Sequence, residues 1–256
     1  MRIDLNSDMG ESFGAYTIGA DEEILRWVTS ANVACGWHGG DPHVMRQTVA
    51  RAKALGVAVG AHPSYPDLLG FGRRAMQITR AEARDYLLYQ IGALRAFAEA
   101  AGLSLQHVKP HGAIYNVAVK DRELSLGIAE GVKDAGGDLI LVGLPDSEIL
   151  KAGLELGLRV AREAFGDRAY NEDGTLVSRK IAGSLITDPE LVAERVIGLA
   201  QGRVVAITGK EIRLQADTIC LHGDTPGAAT IAKRVRERLE AAGLRVRPMG
   251  EFLRRS

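Results

Sequence analysis

The stretch ANVACGWHGGDPHVMRQTVARAKAL, residues 31–55, contains the signals of one strand, one turn and one helix. The apolar run at 31–36 is typical of a buried strand, and the glycines that follow it are typical of a turn. Asp41 is a suitable N-cap, and Pro42 suits the first position of a helix over 42–55. The stretch therefore predicts a βα unit, the building block of parallel sheets.

The same alternation recurs along the chain. Further strands are predicted at 2–8, 57–62, 106–109, 138–143, 159–164 and 217–222. Further helices are predicted at 79–101, 121–135, 146–156, 188–200 and 226–242. This pattern predicts one α/β domain over 1–256, with seven parallel strands that close into an irregular, TIM-barrel-like β/α barrel. An open doubly wound sheet is the alternative, because periodicity alone does not distinguish the two.

One segment breaks the alternation. RVVAITGKEIRLQ, residues 203–215, holds two strand-like runs around a Gly-Lys pair and leaves no room for a helix. We predict an antiparallel hairpin, inserted before the last barrel strand.

A second turn resembles the one that follows the strand at 31–36. CLHGDTPGA, residues 220–228, again follows a strand with His-Gly, an acidic residue and a proline. Thr225 and Pro226 are therefore predicted to start the last helix, as Asp41 and Pro42 start the earlier one.

Composition excludes several classes of partner. Hydrophobic residues make up 46% of the chain, which suits one domain with a sizeable core. Lysine plus arginine and aspartate plus glutamate both total 32, so no bulk charge favours nucleic acid or an anionic membrane. Two cysteines, a start without a signal-peptide pattern and no apolar run of about 20 residues predict a cytoplasmic protein. The expected partner is a small molecule.

Polar side chains gather at the predicted strand ends. In a parallel barrel the C-terminal ends of all strands open on one face, so residues remote in sequence meet there. Pro110 cannot donate a hydrogen bond to a strand ladder, which places the neighbouring Lys109 and His111 at such an end. The residues predicted to share this mouth are Asp4, Asn6, Asp8, Glu11, His38, Asp41, His62, Lys109, His111, His222 and Asp224.

Two loops add further candidates. The loop after the third strand, GAHPSYPDLLGFGRR at 60–74, offers Arg73 and Arg74 to a carboxylate or phosphate. The loop after the sixth strand offers Glu163 and Arg168.

Structural roles remain open for several of these residues. Asp4 and Asn6 fit the alternation of any half-buried strand, and Asp41 fits a helix cap alone. A salt bridge to Asp4 or Asp8 would account for Lys109 without any substrate. The sequence contains no G-x-x-x-x-G-K-[ST] phosphate loop and no H-E-x-x-H zinc motif, so the common nucleotide and zinc-protease patterns are absent.

Five segments carry a resemblance to a known family. They are DLNSDMGESFG (4–14), NVACGWHGGDP (32–42), GAHPSYPDLLGFGRR (60–74), VKPHGAIYN (108–116) and CLHGDTPGA (220–228). In order and length they resemble the lactam-utilisation family of the LamB/YcsF type, whose members are named as the A subunit of 5-oxoprolinase. The resemblance runs nearly end to end. It implies a seven-stranded barrel akin to polysaccharide deacetylases.

The resemblance also implies an activity, which is the ATP-dependent opening of 5-oxo-L-proline to L-glutamate together with two further subunits. ATP, with magnesium, is then a co-substrate, and a homo-oligomer is compatible with this reading. Asp8, His62, Lys109 and His111 are the expected catalytic residues. Expected to bind substrate are Asp4, Asn6, Glu11, His38, Asp41, Arg73, Arg74, Glu163, Arg168, His222 and Asp224.

Two alternatives stay open beside this reading. A metal-dependent deacetylase or amidohydrolase would use Asp8, His62 and His111 as ligands around an activated water. The histidines come from separate turns and lack the paired spacing of a strong metal motif, so we expect no tightly bound metal. The chain could instead be a non-catalytic scaffold protein that binds the lactam while partners handle ATP.

Overall fold

The structure, a computed structural model, describes residues 1–223 and 227–253. The strands of this part are β1 (Arg2–Met9), β2 (Ser30–Ala34), β3 (Ala58–His62), β4 (His107–Val108), β5 (Ile140–Gly143), β6 (Arg159–Phe165), β7 (Arg203–Val205), β8 (Glu211–Arg213), β9 (Thr218–Cys220) and β10 (Arg245–Val246). Seven parallel strands follow one another in the order β1-β2-β3-β4-β5-β6-β9, and β9 pairs with β1. This last pairing closes the sheet into a barrel.

The closed barrel confirms the predicted fold and rules out the open doubly wound sheet. The predicted hairpin is also confirmed, because β7 and β8 pair in antiparallel fashion through Val204 and Ile212. The pairing of β10 with Arg2 and Ile3 was not predicted, since a strand of two residues carries no readable alternation.

Helices cover the outside of the barrel. They are α1 (Asp21–Ile24), α2 (Pro42–Leu55), α3 (Arg80–Ala100), α4 (Ala113–Ala118), α5 (Arg122–Ala135), α6 (Glu148–Glu155), α7 (Pro189–Ala200) and α8 (Ala228–Ala241), with a short 3-10 helix at Met249–Glu251. The sequence did not predict α1 and α4, which are too short to show helical periodicity. Within residues 1–223 and 227–253, no helix combines the length and apolarity that a membrane crossing requires.

The predicted caps set the helix starts. Asp41 accepts hydrogen bonds from the backbone amides of His43 and Val44, and Pro42 is the first residue of α2. Thr79 and Glu82 form a capping box at the start of α3. The predicted start at Thr225 and Pro226 lies outside the described residues.

The lower part of the barrel interior is polar. Asp4, fully buried on β1, accepts hydrogen bonds from the hydroxyls of Thr29 and Ser30 through Oδ1. Its Oδ2 accepts from the hydroxyl of Thr218 on β9. Because a buried carboxylate is costly without such partners, these hydroxyls account for the burial of Asp4 inside the barrel.

A second polar layer lies above the first. The amide of Asn32 donates to Asn6 Oδ1 over 2.7 Å, and its own Oδ1 lies 2.7 Å from His107 Nε2. Gly60 on β3 is required here, since a Cβ at this position would lie 2.2 Å from His107 Nε2. The layer therefore joins β1, β2 and β4 across the barrel axis.

Replacement of Asp4 by asparagine tests the polar interior. Burial raises the pKa of the Asp4 carboxyl from 3.8 to about 6, although its hydroxyl partners oppose the rise. The folded chain therefore binds a proton more tightly than the unfolded chain, and the free energy of unfolding falls as the pH rises from about 4 to about 6. Asp4→Asn should flatten this slope, as measured by urea unfolding across that range. An unchanged slope would assign the effect to other groups.

Candidate functional site

A pocket of about 200 Å³ opens at the C-terminal ends of the barrel strands. This volume lies below the roughly 300–1,000 Å³ of sites for drug-sized molecules, so the pocket suits a smaller ligand. It is lined by Asp8, His62, Arg73, Lys109, Pro110, His111, Gly112, Ala113, Tyr115, Asn116, Phe165, Arg168, Leu176, Arg179 and His222.

The ammonium group of Lys109 lies between two carboxylates. Its Nζ is 2.9 Å from Asp8 Oδ1 and 2.9 Å from Glu163 Oε1. The Asp8 contact is a hydrogen bond, whereas the Glu163 contact is a close ion pair outside hydrogen-bond geometry. The Lys109 side chain is only 4% exposed, so these charges interact with little screening by water. Together they connect β1, the end of β4 and β6.

Lys109 and Asp8 each stabilise the ionised form of the other. Burial, the largest single cause, would lower the pKa of Lys109, but Asp8, Glu163 and the other neighbouring groups together outweigh it and the pKa stands well above its usual range. Burial likewise would raise the pKa of Asp8, but His62 and Lys109 hold it well below its usual range. Both groups therefore stay ionised at neutral pH.

Glu163 is held from its other side by Tyr115 on α4. The Tyr115 hydroxyl donates to Glu163 Oε2 over 2.8 Å. Burial raises the pKa of Tyr115 well above its usual range, and the negative charge of Glu163 adds to the effect. The phenol thus stays a hydrogen-bond donor at neutral pH.

Three histidines and one glutamate form a compact cluster beside the ion pair. His111 Nδ1 lies 3.0 Å from His62 Nε2 and 3.5 Å from Glu11 Oε1. His38 Nε2 lies 3.2 Å from Glu11 Oε1, and the ring of His38 stacks on the ring of His111 with a centroid separation of 3.8 Å. We call these four residues the histidine cluster. One ligand atom from each lies within 4.8 Å of every other, so the cluster is able to hold a metal ion.

The histidine cluster is buried, and burial governs its protonation. Desolvation lowers the pKa of His38 well below its usual range, and the neighbouring His62 adds to the effect. Desolvation also lowers the pKa of His111, with His38 as the next cause. Both rings are therefore neutral at neutral pH.

The opposite wall of the pocket holds another histidine and its acidic partner. His222 Nδ1 lies 2.8 Å from Asp167 Oδ1, and the His222 backbone amide donates to Asp167 Oδ2. Burial would raise the pKa of Asp167, but His222 outweighs it and the pKa falls below its usual value. Arg168 lines the same wall and donates a hydrogen bond to the Val177 carbonyl.

The structure brings most of the predicted residues together. Asp8, His62, Lys109, His111, Arg73, Arg168 and His222 line the pocket, and Glu11, His38 and Glu163 contact them from behind. Asp4 and Asn6 lie deeper along the barrel axis, although Asn6 Oδ1 reaches within 3.4 Å of Lys109 Nζ. Their predicted role in substrate binding stays a prediction.

Two further predicted residues lie away from the pocket lining, and one lies outside the described residues. Asp41 caps α2 and also accepts from the Gly14 amide. Arg74 pairs with the buried Asp67 on its own loop. These contacts give Asp41 and Arg74 each a structural role. Asp224 falls in the undescribed segment 224–226.

Some pocket residues were not predicted. Arg179 and Phe165 line the pocket, yet neither stands in a motif that marks chemistry. Tyr115 was missed because α4 is too short to be identified from periodicity, so its position facing the pocket could not be derived.

One local motif has a structural explanation. Residues 10–14 read GESFG, the pattern of a nucleophile elbow, but no helix follows them directly. The Ser12 hydroxyl accepts a hydrogen bond from the Ile18 amide and donates to the Ile18 carbonyl. Ser12 therefore stabilises a turn.

The arrangement offers three kinds of chemistry in one small volume. Lys109 and the arginines supply positive charge for an anionic ligand or a developing oxyanion. Asp8 supplies a carboxylate that stays ionised, and the histidine cluster supplies imidazole nitrogens for proton transfer or metal binding.

Removal of the Lys109 charge tests the buried ion pair. Lys109→Met leaves two carboxylates without their cation, so we expect the free energy of unfolding to fall by about 3–5 kcal/mol. Glu163→Gln in the same chain should recover part of this loss, because one uncompensated charge disappears. Urea denaturation measures both effects.

Lys151→Met is the matched control, since Lys151 is exposed and pairs with Glu148 on the surface. It should change the free energy of unfolding by no more than about 1 kcal/mol. If Lys109→Met lowers the free energy of unfolding by no more than Lys151→Met does, the ion pair has no structural role.

Comparison with known proteins agrees with the fold and extends along the whole chain. The LamB/YcsF family model matches residues 3–254. A relative from Thermococcus onnurineus (strain NA1), named as the A subunit of 5-oxoprolinase, is 59% identical over 255 residues, which are 99% of this chain and 100% of the relative. A relative from Pyrococcus horikoshii with the same name is 57% identical over 255 residues, with the same two coverages.

A solved structure supports the same assignment. The lactam utilization protein from Thermus thermophilus is 50% identical, with a TM-score of 0.92 over 96% of this chain and 99% of that protein. A peptidoglycan N-acetylglucosamine deacetylase, 13% identical with a TM-score of 0.51, covers 100% of this chain and 89% of its own length, and shares the fold alone. The chain belongs to the LamB/YcsF family.

Proposed function

We propose that this chain is the A subunit of a 5-oxoprolinase, a hydrolase that opens the lactam of 5-oxo-L-proline to L-glutamate with hydrolysis of ATP to ADP and phosphate. The name shared by its full-length relatives supports the proposal. The observation that carries it is the small pocket lined by Lys109, three arginines, the Asp8 carboxylate and three imidazoles.

The pocket suits the substrate in size and charge. 5-Oxoproline is a small anion with one carboxylate and one cyclic amide. Arg73, Arg168 and Arg179 line the pocket and offer the planar, charge-assisted hydrogen bonds that carboxylates prefer. The lactam ring can then face Lys109 and Asp8 on the floor.

The chemistry needs activation of an unreactive amide. Transfer of the ATP γ-phosphoryl group to the lactam oxygen releases ADP and makes the ring carbon electrophilic. Water attacks this carbon, and the C–N bond breaks as the ring nitrogen takes up a proton, which leaves an acyl phosphate. A second water hydrolyses the acyl phosphate to L-glutamate and phosphate. In this reaction Lys109 stabilises negative charge that develops near the floor, and Asp8 or His111 accepts a proton from water. His38, His62 and His222 position these groups or transfer protons.

ATP, with magnesium, is the proposed co-substrate, and two further subunits are the proposed partners. A chain that binds the lactam but not ATP would be the scaffold of the complex, with the nucleotide bound by a partner. Calorimetric titration of the isolated chain with 5-oxoproline and then with ATP distinguishes the two roles.

Glutamate release from 5-oxoproline tests the function itself. We expect ATP-dependent release when the chain is combined with its two partner subunits, and little release from the chain alone. The same complex assembled without this chain is the control. Equal activity with and without the chain would refute the proposal.

Arg73 and Arg74 form a matched pair for the substrate site. Arg73 lines the pocket, whereas Arg74 pairs with Asp67. Because a charge-assisted hydrogen bond contributes about 1.5–3 kcal/mol, Arg73→Ala should raise the KM for 5-oxoproline about 10-fold or more. Arg74→Ala should leave that KM nearly unchanged. The steady-state kinetics of the complete complex measure both, and the reverse order would contradict the assignment.

A further inference from the structure

The ring protons of two cluster histidines can be assigned from their neighbours. His62 Nδ1 lies 2.6 Å from the carbonyl oxygen of Lys109, and His111 Nε2 lies 2.9 Å from the carbonyl oxygen of Phe71. A carbonyl oxygen only accepts hydrogen bonds, so each of these nitrogens must carry a proton.

The remaining ring nitrogens, His62 Nε2 and His111 Nδ1, face each other. A neutral imidazole has one N–H, so His62 Nε2 and His111 Nδ1 are both bare when the rings are neutral. They are only 3.0 Å apart. Two acceptors at this distance in a buried site repel each other unless a cation lies between or beside them.

Further electron-pair donors point to the same position. Glu11 Oε1 lies 3.5 Å from His111 Nδ1 and 3.2 Å from His38 Nε2. Four ligand atoms bonded at about 2.0–2.2 Å in a tetrahedron lie roughly 3.3–3.6 Å apart. Three of the six separations, 3.0, 3.2 and 3.5 Å, fall close to this range, and the others are at most 4.8 Å.

We propose that Glu11, His38, His62 and His111 bind one divalent transition-metal ion, and that Zn²⁺ is the ion they fit best. Three imidazoles with one carboxylate are the donors of Zn²⁺ and its neighbours in the first transition row, whereas Mg²⁺ and Ca²⁺ prefer oxygen ligands. The proposal rests on the donor geometry; a metal-bound His111 would leave Asp8 as the base of the proposed lactam opening.

Contacts outside the cluster match those of metal-binding histidines. Ligating histidines commonly donate their second N–H to a backbone carbonyl, which fixes the tautomer and the ring orientation. His62 and His111 each have such a carbonyl partner. His38 differs from these two, because its Nδ1 is buried and has no hydrogen-bond partner within the described part of the chain.

This ligand set differs from the one suggested by the sequence, which combined Asp8 with His62 and His111. Asp8 Oδ2 does lie 3.3 Å from His62 Nε2, but Asp8 Oδ1 is bound by Lys109 and Asn32. Glu11 and His38 complete the set instead. Because His62 and His111 also line the pocket, the ion would form part of the pocket floor.

Metal binding to the isolated chain tests the proposal. The chain is treated with a chelator, dialysed, and titrated with Zn²⁺ by calorimetry, with no lactam or ATP present. We expect about one ion per chain, and Co²⁺ in its place should give the intense visible absorption of a tetrahedral site. No binding, or an octahedral Co²⁺ spectrum, would overturn the proposal.

Variants separate the cluster from other histidines. Glu11→Gln and His38→Gln should each weaken Zn²⁺ binding at least about 100-fold, since even the loss of an outer partner costs 10- to 100-fold. His107→Gln, at a buried histidine of the barrel interior, and His43→Gln, at a histidine on α2, are the controls and should bind as the wild type does.

Equal loss in a cluster variant and a control would also overturn the proposal. The alternative to a bound metal ion is a proton on His62 Nε2 that is shared with Asp8. In that case the wild-type chain takes up no Zn²⁺, and nitrogen NMR at neutral pH shows one imidazolium in the cluster. This measurement needs no variant, so the outcome does not depend on whether each substituted chain folds.

Discussion

The buried ammonium of Lys109 is the interaction on which the site depends. It lies between Asp8 and Glu163, and so connects three strands of the barrel at the level where the pocket begins. Two carboxylates this close would repel each other without the cation, and the cation would not tolerate burial without them. The charge that organises the pocket floor is therefore also part of the barrel's internal structure.

Much of the fold could be predicted because its signals are local. The strand runs, the Asp41 and Thr79 caps and the Gly-Lys pair of the hairpin each act within a few residues. Elements whose existence depends on distant contacts could not be predicted. β10 is formed by pairing with Arg2 and Ile3 at the other end of the chain. The helix α4 was missed for another reason, since it is too short to show helical periodicity.

The candidate site was predictable to the extent that strand ends share one face of a barrel. That rule places Asp8, His62, Lys109 and His111 together from the sequence alone. It could not separate residues that end a strand from residues that cap the next element, which is the position that Asp41 has in the structure. Nor could it show that Glu11 and His38 meet His111 on the far side of the pocket floor, since no spacing in the sequence encodes that approach.

A crystal structure of the chain with 5-oxoproline bound would test the proposed substrate pocket most directly. We expect the lactam in the strand-end pocket, with its carboxylate within hydrogen-bond distance of an arginine and its ring carbonyl turned toward Lys109. A lactam bound at another surface, with this pocket filled by side chains or solvent alone, would show that the pocket is not the substrate site.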